Sequence, residues 1–225
     1  MTNETDIYLG ADSEDIEDAL KIIEESYNIK FVGGELKGIK TFGELCDHII
    51  SKIQLTDTGD CTTQQAFYKL RDAITNSIQI EKGQVKTDTM LSIIFPREKR
   101  KINISKLESL LGFKLYALRP KHIVFNAILV LLLISLIGMF FDFVYGLIGF
   151  VSSAILFRIA EWTGTEFKVD TIGQLADKMS QENYIKSRRN QTTVNRKEIA
   201  KNIEKLFIEG LSLDLMEIKR ETLIT

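Results

Sequence analysis

Two stretches in the middle of the chain are apolar on all sides of a helix, unlike the amphipathic remainder. The first runs from Ile123 to Phe141, nineteen residues without a charge. As a helix it would extend about 28 Å, close to the thickness of the hydrocarbon core of a bilayer. After Asp142, fifteen uncharged residues run to Phe157, and the apolar character continues past Arg158 to Trp162. This pattern predicts two apolar helices within residues 122–162.

Three arrangements of these helices are compatible with the pattern. They could cross a bilayer twice as a hairpin with Asp142 at the far-side turn. Alternatively, only 123–141 crosses while 143–160 lies at the interface, or both helices are buried in a soluble core. Small residues in the second stretch would let a partner helix approach closely: Gly146, Gly149, Ser152, Ser153 and Ala154.

Basic residues flank the apolar stretches on both sides. Arg97–Lys101, Arg119 and Lys121 precede them, and Lys186–Arg189 follow. The positive-inside rule puts both flanks in the cytoplasm, which a hairpin satisfies and a single span does not. We therefore expect a multi-pass protein of the inner, cytoplasmic membrane with both termini cytoplasmic and the lipid bilayer as a partner.

The N-terminal region has the periodicity of amphipathic helices. Ile16, Ala19, Leu20, Ile23 and Tyr27 recur at spacings of three and four and predict a helix that begins at Asp12 or Ser13. Gly33-Gly34 interrupts the pattern, and Thr41 caps a second predicted helix, 42–53. Residues 1–35 hold ten acidic residues and two lysines, whereas the rest of the chain is net basic. An acidic head on a basic body predicts distinct contact surfaces.

The LGADS run at 9–13, Tyr27 fourteen residues after its serine, and the TFGELCDHI run from Thr41 together resemble acyl carrier proteins over about forty-five residues. The two predicted helices would match helices II and IV of that family. The resemblance implies that Ser13, next to Asp12, carries a 4′-phosphopantetheine arm. It also implies that an acidic face docks a basic partner enzyme by charge complementarity, through Glu14, Asp15, Glu17 and Asp18.

Two functions follow from this resemblance, and neither makes the chain itself an enzyme. The first is a membrane-anchored acyl carrier-like protein that presents an acyl group on the arm at Ser13. The second is a membrane adaptor or assembly factor with the same fold and no arm, in which Ser13 is a helix N-cap. Glu14 stands where carriers normally have a leucine or similar apolar residue, which favours the second.

A weak internal repeat points to a permuted order of helices. Thr41–Asp47 matches Thr171–Asp177 at an offset of 130 residues, and 85–90 echoes 218–223 at an offset of 133. Each repeat would contain a Thr-capped helix, a later helix and a closing segment, with the later helices at about 63–78 and 194–208. The later helix resembles helix I of a carrier, so each repeat would be a carrier-like bundle with helix I last.

Other chemistry finds little support in the sequence. Neither His48 nor His122 lies in a metal-ligand spacing, so no metal site is expected. The basic stretches are explained by anionic lipid headgroups, and no nucleic-acid partner is expected. We predict an all-α fold that combines the carrier-like bundle, the transmembrane hairpin and a C-terminal helical region. The predicted division is a carrier-like domain at 1–95, a basic juxtamembrane segment at 96–121, the hairpin at 122–162 and a cytoplasmic region at 163–225.

Overall fold

A computed structural model describes residues 13–211 and 218–224 of the chain. Within these ranges the chain forms ten α-helices: α1 (Ser13–Tyr27), α2 (Phe42–Lys52), α3 (Thr62–Ile78), α4 (Leu91–Ile94), α5 (Arg100–Leu111), α6 (His122–Gly138), α7 (Phe143–Thr163), α8 (Ile172–Glu182), α9 (Tyr184–Ser187) and α10 (Arg196–Gly210). Four two-residue strands accompany them: β1 (Thr56–Asp57), β2 (Leu118–Arg119), β3 (Glu166–Phe167) and β4 (Thr193–Val194). Strands β1 and β4 pair in parallel, and β2 and β3 pair antiparallel. The predicted all-α class is confirmed, because these short pairs build no larger sheet in the described ranges.

The chain folds into two compact units that are discontinuous in sequence. The first holds residues 1–72 and 176–225, and the second holds 73–175. Helices α3 and α8 each pass from one unit to the other. The predicted boundaries at 95, 121 and 162 all lie inside the second unit. Most of the predicted C-terminal region, 163–225, belongs with the N-terminal helices in the first unit.

The core of the first unit is built mainly from α1, α2, α9 and α10. Helices α1, α2 and α10 contribute apolar residues at spacings of three and four, such as Ala19 and Ile23 of α1, which are fully buried, and α9 contributes Tyr184 and Ile185. Helix α10 packs against both α1 and α2. The ring of Phe42 meets that of Phe207 edge-on at 5.4 Å. The helix that completes the bundle of α1 and α2 thus comes from the second repeat; the sequence had assigned this place to 63–78.

The two repeats have the same helix start. Thr41 Oγ1 accepts a hydrogen bond from the amide of Glu44, and the Glu44 carboxylate accepts one from the amide of Thr41. Thr171 and Gln174 make the same reciprocal pair at the start of α8. Each pair is a capping box, which satisfies amides that would otherwise lack acceptors at a helix start. The repeated Thr and Glu/Gln positions therefore have one structural role in both copies.

The closing segment of the second repeat packs on the Thr-capped helix of the first. In the first unit, the amide of Phe42 donates to the carbonyl of Thr222 at 2.9 Å. The amide of Gly43 donates to the carbonyl of Arg220 at 2.8 Å, and Thr41 forms an antiparallel bridge with Leu223.

The reciprocal contact occurs in the second unit. There the amide of Gly173 donates to the carbonyl of Thr87 at 2.8 Å, and Thr171 bridges Met90. The repeats have therefore exchanged their closing segments. The prediction that each repeat closes as its own bundle was wrong, because each segment finds its partner on the other copy.

Helices α6 and α7 form a helical hairpin in the second unit. Asp142 caps α7 at the turn, since its Oδ1 accepts from the amides of Val144 and Tyr145 at 3.0 and 3.3 Å. Side chains added at Gly146 and Gly149 would collide with Met139, the C-cap of α6, and with Ser135 in α6. The Phe125 and Phe157 rings contact each other at 5.6 Å. The predicted turn at Asp142 and the close approach at the two glycines are confirmed.

The hairpin helices differ in length from the uncharged runs that predicted them. α6 ends at Gly138 because the next residues form the turn, so it has 17 residues, whereas α7 continues through Arg158 and has 21. Among the described residues, α7 alone is long and apolar enough to cross a membrane, by length and composition only. Only 17% of the most apolar part of α7 is buried, so α7 is not the buried core helix that the third arrangement requires.

Candidate functional site

The predicted acidic face lies on the solvent side of α1. Glu14, Asp15, Glu17 and Asp18 are all exposed within the first turns of the helix. The carboxylates make no hydrogen bond or ion pair to any residue that the structure describes. Two acidic residues in the first turn also stabilise the positive end of the helix dipole. The face is therefore available to a basic partner.

The two predicted attachment residues stand at the edge of the described part of the chain. Ser13 is the first residue of α1, whereas Asp12 and the rest of the LGADS run lie outside the described residues. The structure thus brings Ser13 to the N-terminal end of the same helix that carries the acidic face.

A buried polar network fixes the opposite face of α1. Ser26 Oγ donates to the carbonyl of Gln181 and accepts from the amide of Tyr184 at 3.0 Å. The Tyr27 hydroxyl accepts from Asn202 Nδ2 at 2.9 Å, and its ring lies 5.0 Å from that of Tyr184. Burial raises the pKa of Tyr27 well above its usual value. The aromatic position of the carrier resemblance is therefore a core anchor that joins α1 to α9 and α10.

A second polar cluster orders the turn between α1 and α2. Glu35 accepts from Lys52 Nζ at 2.6 Å and from the amide of Val32 at 2.7 Å, and its carboxylate lies 2.8 Å from His48 Nε2. The hydrogen bond from Lys52, followed by that from Val32, lowers the pKa of Glu35 to about 2. His48 is thus part of the cluster that holds this turn.

Arg188 is the largest fully buried side chain of the described residues. Its guanidinium donates to the hydroxyls of Thr62, Thr58 and Thr193 at 2.5, 2.7 and 3.2 Å and to the carbonyl of Asp60 at 3.2 Å. The planar fork thereby ties the loop before α3 to the segment after α9. This arginine belongs to the KSRR stretch, which the sequence interpreted as a membrane contact, so that interpretation was wrong for Arg188.

The two thiols have different environments. Cys46 is buried in the core of the first unit, and burial raises the pKa of its thiol to about 12. Cys61 is exposed at the start of α3. Neither stands in a group of three or more His, Cys, Asp or Glu side chains that could hold a metal ion, within the described ranges.

The base of the hairpin is a basic and aromatic region, of which the sequence predicted only the basic flanks. Lys101 Nζ lies 4.3 Å above the Trp162 ring and donates to the Trp162 carbonyl at 2.6 Å. Arg97 pairs with Glu166 at 2.7 Å. At the other end of the hairpin, Phe140 and Phe141 are 90% and 89% exposed. The basic residues and Trp162 thus lie at one end of the hairpin, and the two exposed phenylalanines lie at the other.

Sequence reasoning missed α5 and the paired strands β2 and β3, which shape this base. Ile104, Leu107 and Leu111 are buried at helical spacing on α5. This spacing was readable within the segment that was interpreted only as a basic juxtamembrane stretch. The two-residue strands gave no comparable signal.

Comparison of the chain with known protein families, with curated proteins and with solved structures finds no significant match. The functional interpretation therefore depends on the residues and geometry of this chain.

Proposed function

We propose that this protein is a membrane-anchored acyl carrier-like protein that carries a 4′-phosphopantetheine arm on Ser13. The observation that carries the proposal is the placement of Ser13 at the N-terminal end of α1, beside an exposed acidic face. In this arrangement the arm extends from the end of the helix while Glu14, Asp15, Glu17 and Asp18 receive the basic surface of a partner enzyme.

The packing of the first unit supports the carrier-like shape. Helices α1 and α2 both pack on α10. Helix α1 begins with the serine of the LGADS run, and α2 contains the TFGELC run after its N-cap Thr41. Helix α10 followed by its closing segment takes the role of helix I and the loop after it. The chain order is permuted, because this helix comes last and from the second repeat.

The hairpin supplies the membrane anchor in this proposal. Helices α6 and α7 cross the bilayer with Asp142 at the far side, and the basic residues at their base stay on the cytoplasmic side. At 17 residues α6 would span about 26 Å and α7 about 32 Å, which is adequate for a bilayer core of about 30 Å with local thinning at α6. The many exposed apolar side chains of the hairpin are the observation that supports a nonpolar surrounding.

An intact-mass measurement tests attachment of the arm. The full-length protein is coexpressed with a phosphopantetheinyl transferase of broad specificity and purified in detergent. We expect the mass to rise by one phosphopantetheine group in the wild-type chain and in Ser51→Ala, an exposed serine on α2. The Ser13→Ala variant should stay unmodified. An unchanged wild-type mass in the presence of an active transferase would contradict the proposal.

A second function, an adaptor without the arm, is favoured by Glu14. This residue is charged and exposed where carriers have an apolar residue that helps to dock the arm. In this function Ser13→Ala is harmless, whereas Asp15→Lys together with Asp18→Lys abolishes partner binding. The control is Glu25→Lys, a single charge reversal at the other end of α1, compared with Asp15→Lys and Asp18→Lys made one at a time. Loss of function in a folded Ser13→Ala variant would exclude the adaptor.

A further inference from the structure

A cavity of about 400 Å³ lies in the second unit at the base of the hairpin. Its polar lining consists chiefly of four basic residues and two acidic ones: Arg100, Arg119, Lys121, His122, Glu166 and Asp170. A cavity of this size accommodates a small charged group such as a phosphate with part of its substituent.

One of the two carboxylates is already paired with Arg97, which lies outside the cavity lining, and with Arg100, which lies within it. Glu166 Oε1 pairs with Arg97 at 2.7 Å, and Glu166 Oε2 lies 3.8 Å from Arg100. Arg100 is itself held rigidly, since it donates to the carbonyls of Phe95 and Thr165 and lies 4.4 Å over the Phe167 ring. Glu166 is therefore occupied by two arginines.

Among the residues that the structure describes, Arg119 has no carboxylate partner. It stands opposite Glu166 across the β2–β3 pair, yet the structure gives it no ion pair with that residue. Its Nε is buried and makes no hydrogen bond to any described residue. Arg119 nevertheless lines the cavity, and the terminal N–H groups of its guanidinium can donate to an anion there. Lys121, which is exposed, likewise forms no ion pair within the described ranges.

The start of α6 adds a further positive contribution. Lys121 is its N-cap and provides no side-chain hydrogen bond to the first amides of the helix. The amides at the beginning of a helix lack intrahelical acceptors and carry the positive end of its dipole. At this end of a 17-residue apolar helix they complement the guanidinium of Arg119 as a site for an anion.

The cavity lies where both helices of the hairpin reach their charged end. Gly164 follows α7, and a Cβ there would come within 2.6 Å of the carbonyl carbon of Arg119. Glycine at this position thus lets the end of α7 approach the residues that lead into α6. Trp162 is 74% exposed beside this junction, as expected for a residue at the headgroup level of a bilayer.

We propose that this cavity binds the headgroup phosphate of an anionic phospholipid, with Arg119, Lys121 and the start of α6 as its ligands. The inference rests on the proposed insertion of the hairpin. It adds a specific lipid site to the general attraction of basic flanks, because the lipid phosphate would enter a built cavity rather than contact a surface.

The test uses the full-length protein in vesicles of phosphatidylcholine alone or with added phosphatidylglycerol. Trp162, the single tryptophan of the chain, reports insertion by a blue shift of its emission. Native mass spectrometry then measures which lipid stays bound. The variant is Arg119→Gln with Lys121→Gln, and the control is Lys99→Gln with Lys106→Gln, two exposed basic residues outside the cavity lining.

We expect the wild-type and control proteins to retain phosphatidylglycerol in preference to phosphatidylcholine. The cavity variant should insert normally. Its preference for phosphatidylglycerol over phosphatidylcholine should fall by a factor of about five for each charge removed. Arg119→Lys, which keeps the charge, should retain most of the preference, and this separates lost binding from lost folding.

Three results would overturn the inference. Wild-type protein that shows no insertion would contradict the membrane hairpin and the lipid site together. Normal insertion with equal lipid preference in the wild-type and cavity variants would contradict the lipid site alone. If inorganic phosphate removed the preference as effectively as excess phosphatidylglycerol, free phosphate would replace the lipid as the ligand.

Discussion

The amide of Gly43 donates a 2.8 Å hydrogen bond to the carbonyl of Arg220, 177 residues later in the chain. Gly173 makes the same contact, also at 2.8 Å, with Thr87. In both places the absence of a Cβ allows the closing segment to lie against the first turn of a Thr-capped helix. The pair of contacts defines the exchange of closing segments between the repeats.

Replacing either glycine with alanine should destabilise its own unit. A Cβ at Gly43 would lie 2.8 Å from the Arg220 carbonyl oxygen, and one at Gly173 would lie 2.8 Å from that of Thr87. Because backbone must move in each case, we expect a loss of about 1–3 kcal/mol, measured by thermal unfolding in detergent. Gly33→Ala meets no atom within 4 Å and should be near neutral. Equal unfolding temperatures for all three variants would refute the close approach.

The environment of Arg188 predicts that lysine cannot replace it. A lysine retains the charge but cannot donate in the fork that reaches Thr58, Thr62 and Thr193 at once. We expect Arg188→Lys to reduce the free energy of unfolding by about 2–4 kcal/mol, since the three hydroxyls and the Asp60 carbonyl lose their shared donor. Arg189→Lys, at the exposed neighbouring position, is the control and should have little effect. A fully stable Arg188→Lys protein would show that the buried fork contributes little.

The cluster around Glu35 predicts a stability change in acid. The pKa of Glu35 is about 2 in the folded chain, below its ordinary 4.5. A lowered folded-state pKa stabilises the fold above the unfolded-state pKa, and this contribution disappears as the pH falls from about 4.5 to 2. Glu35→Gln should therefore be less stable than wild type at neutral pH and equal to it near pH 2. Glu25→Gln, an exposed change on α1, should give parallel curves, and parallel curves for Glu35→Gln would contradict the assignment.

The two cysteines should react very differently with a maleimide. Cys46 is buried and has a thiol pKa of about 12, so it lacks both access and thiolate in the native chain. Cys61 is exposed. We expect one label per native chain, absent from Cys61→Ser, and two labels after denaturation. Rapid native labelling of Cys46 would mean that the core around α2 opens readily.

Much of the helical framework was predictable because it depends on local periodicity. The sequence predicted α2 as 42–53 and the later helices near 63–78 and 194–208, and the structure has them at Phe42–Lys52, Thr62–Ile78 and Arg196–Gly210. The caps at Thr41 and Thr171 and the turn at Asp142 were readable from the same local rules. The end of α6 at Gly138 was not predictable, because residues 139–141 are as apolar as the helix and yet form the turn.

The exchange of closing segments could not be read from the sequence. Segments 85–90 and 218–223 are similar, so either could pair with either Thr-capped helix, and only the tertiary structure selects between them. The cavity at the hairpin base could not be read from the sequence either. Arg119 and Glu166 come together through a two-residue strand pair, and Arg119 is left without an ion pair to Glu166 because Glu166 is already paired with Arg97. Such occupancy depends on three-dimensional neighbours rather than on spacing along the chain.

The mass of one tryptic peptide tests the central claim most directly. Lys21 is the first basic residue of the chain, so complete cleavage releases residues 1–21, in which Ser13 is the only serine. We predict that this peptide, from full-length protein coexpressed with an active transferase, carries the added mass of one phosphopantetheine group, and that fragmentation places it on Ser13. An unmodified peptide 1–21, or the added mass on any other residue, would contradict the carrier function.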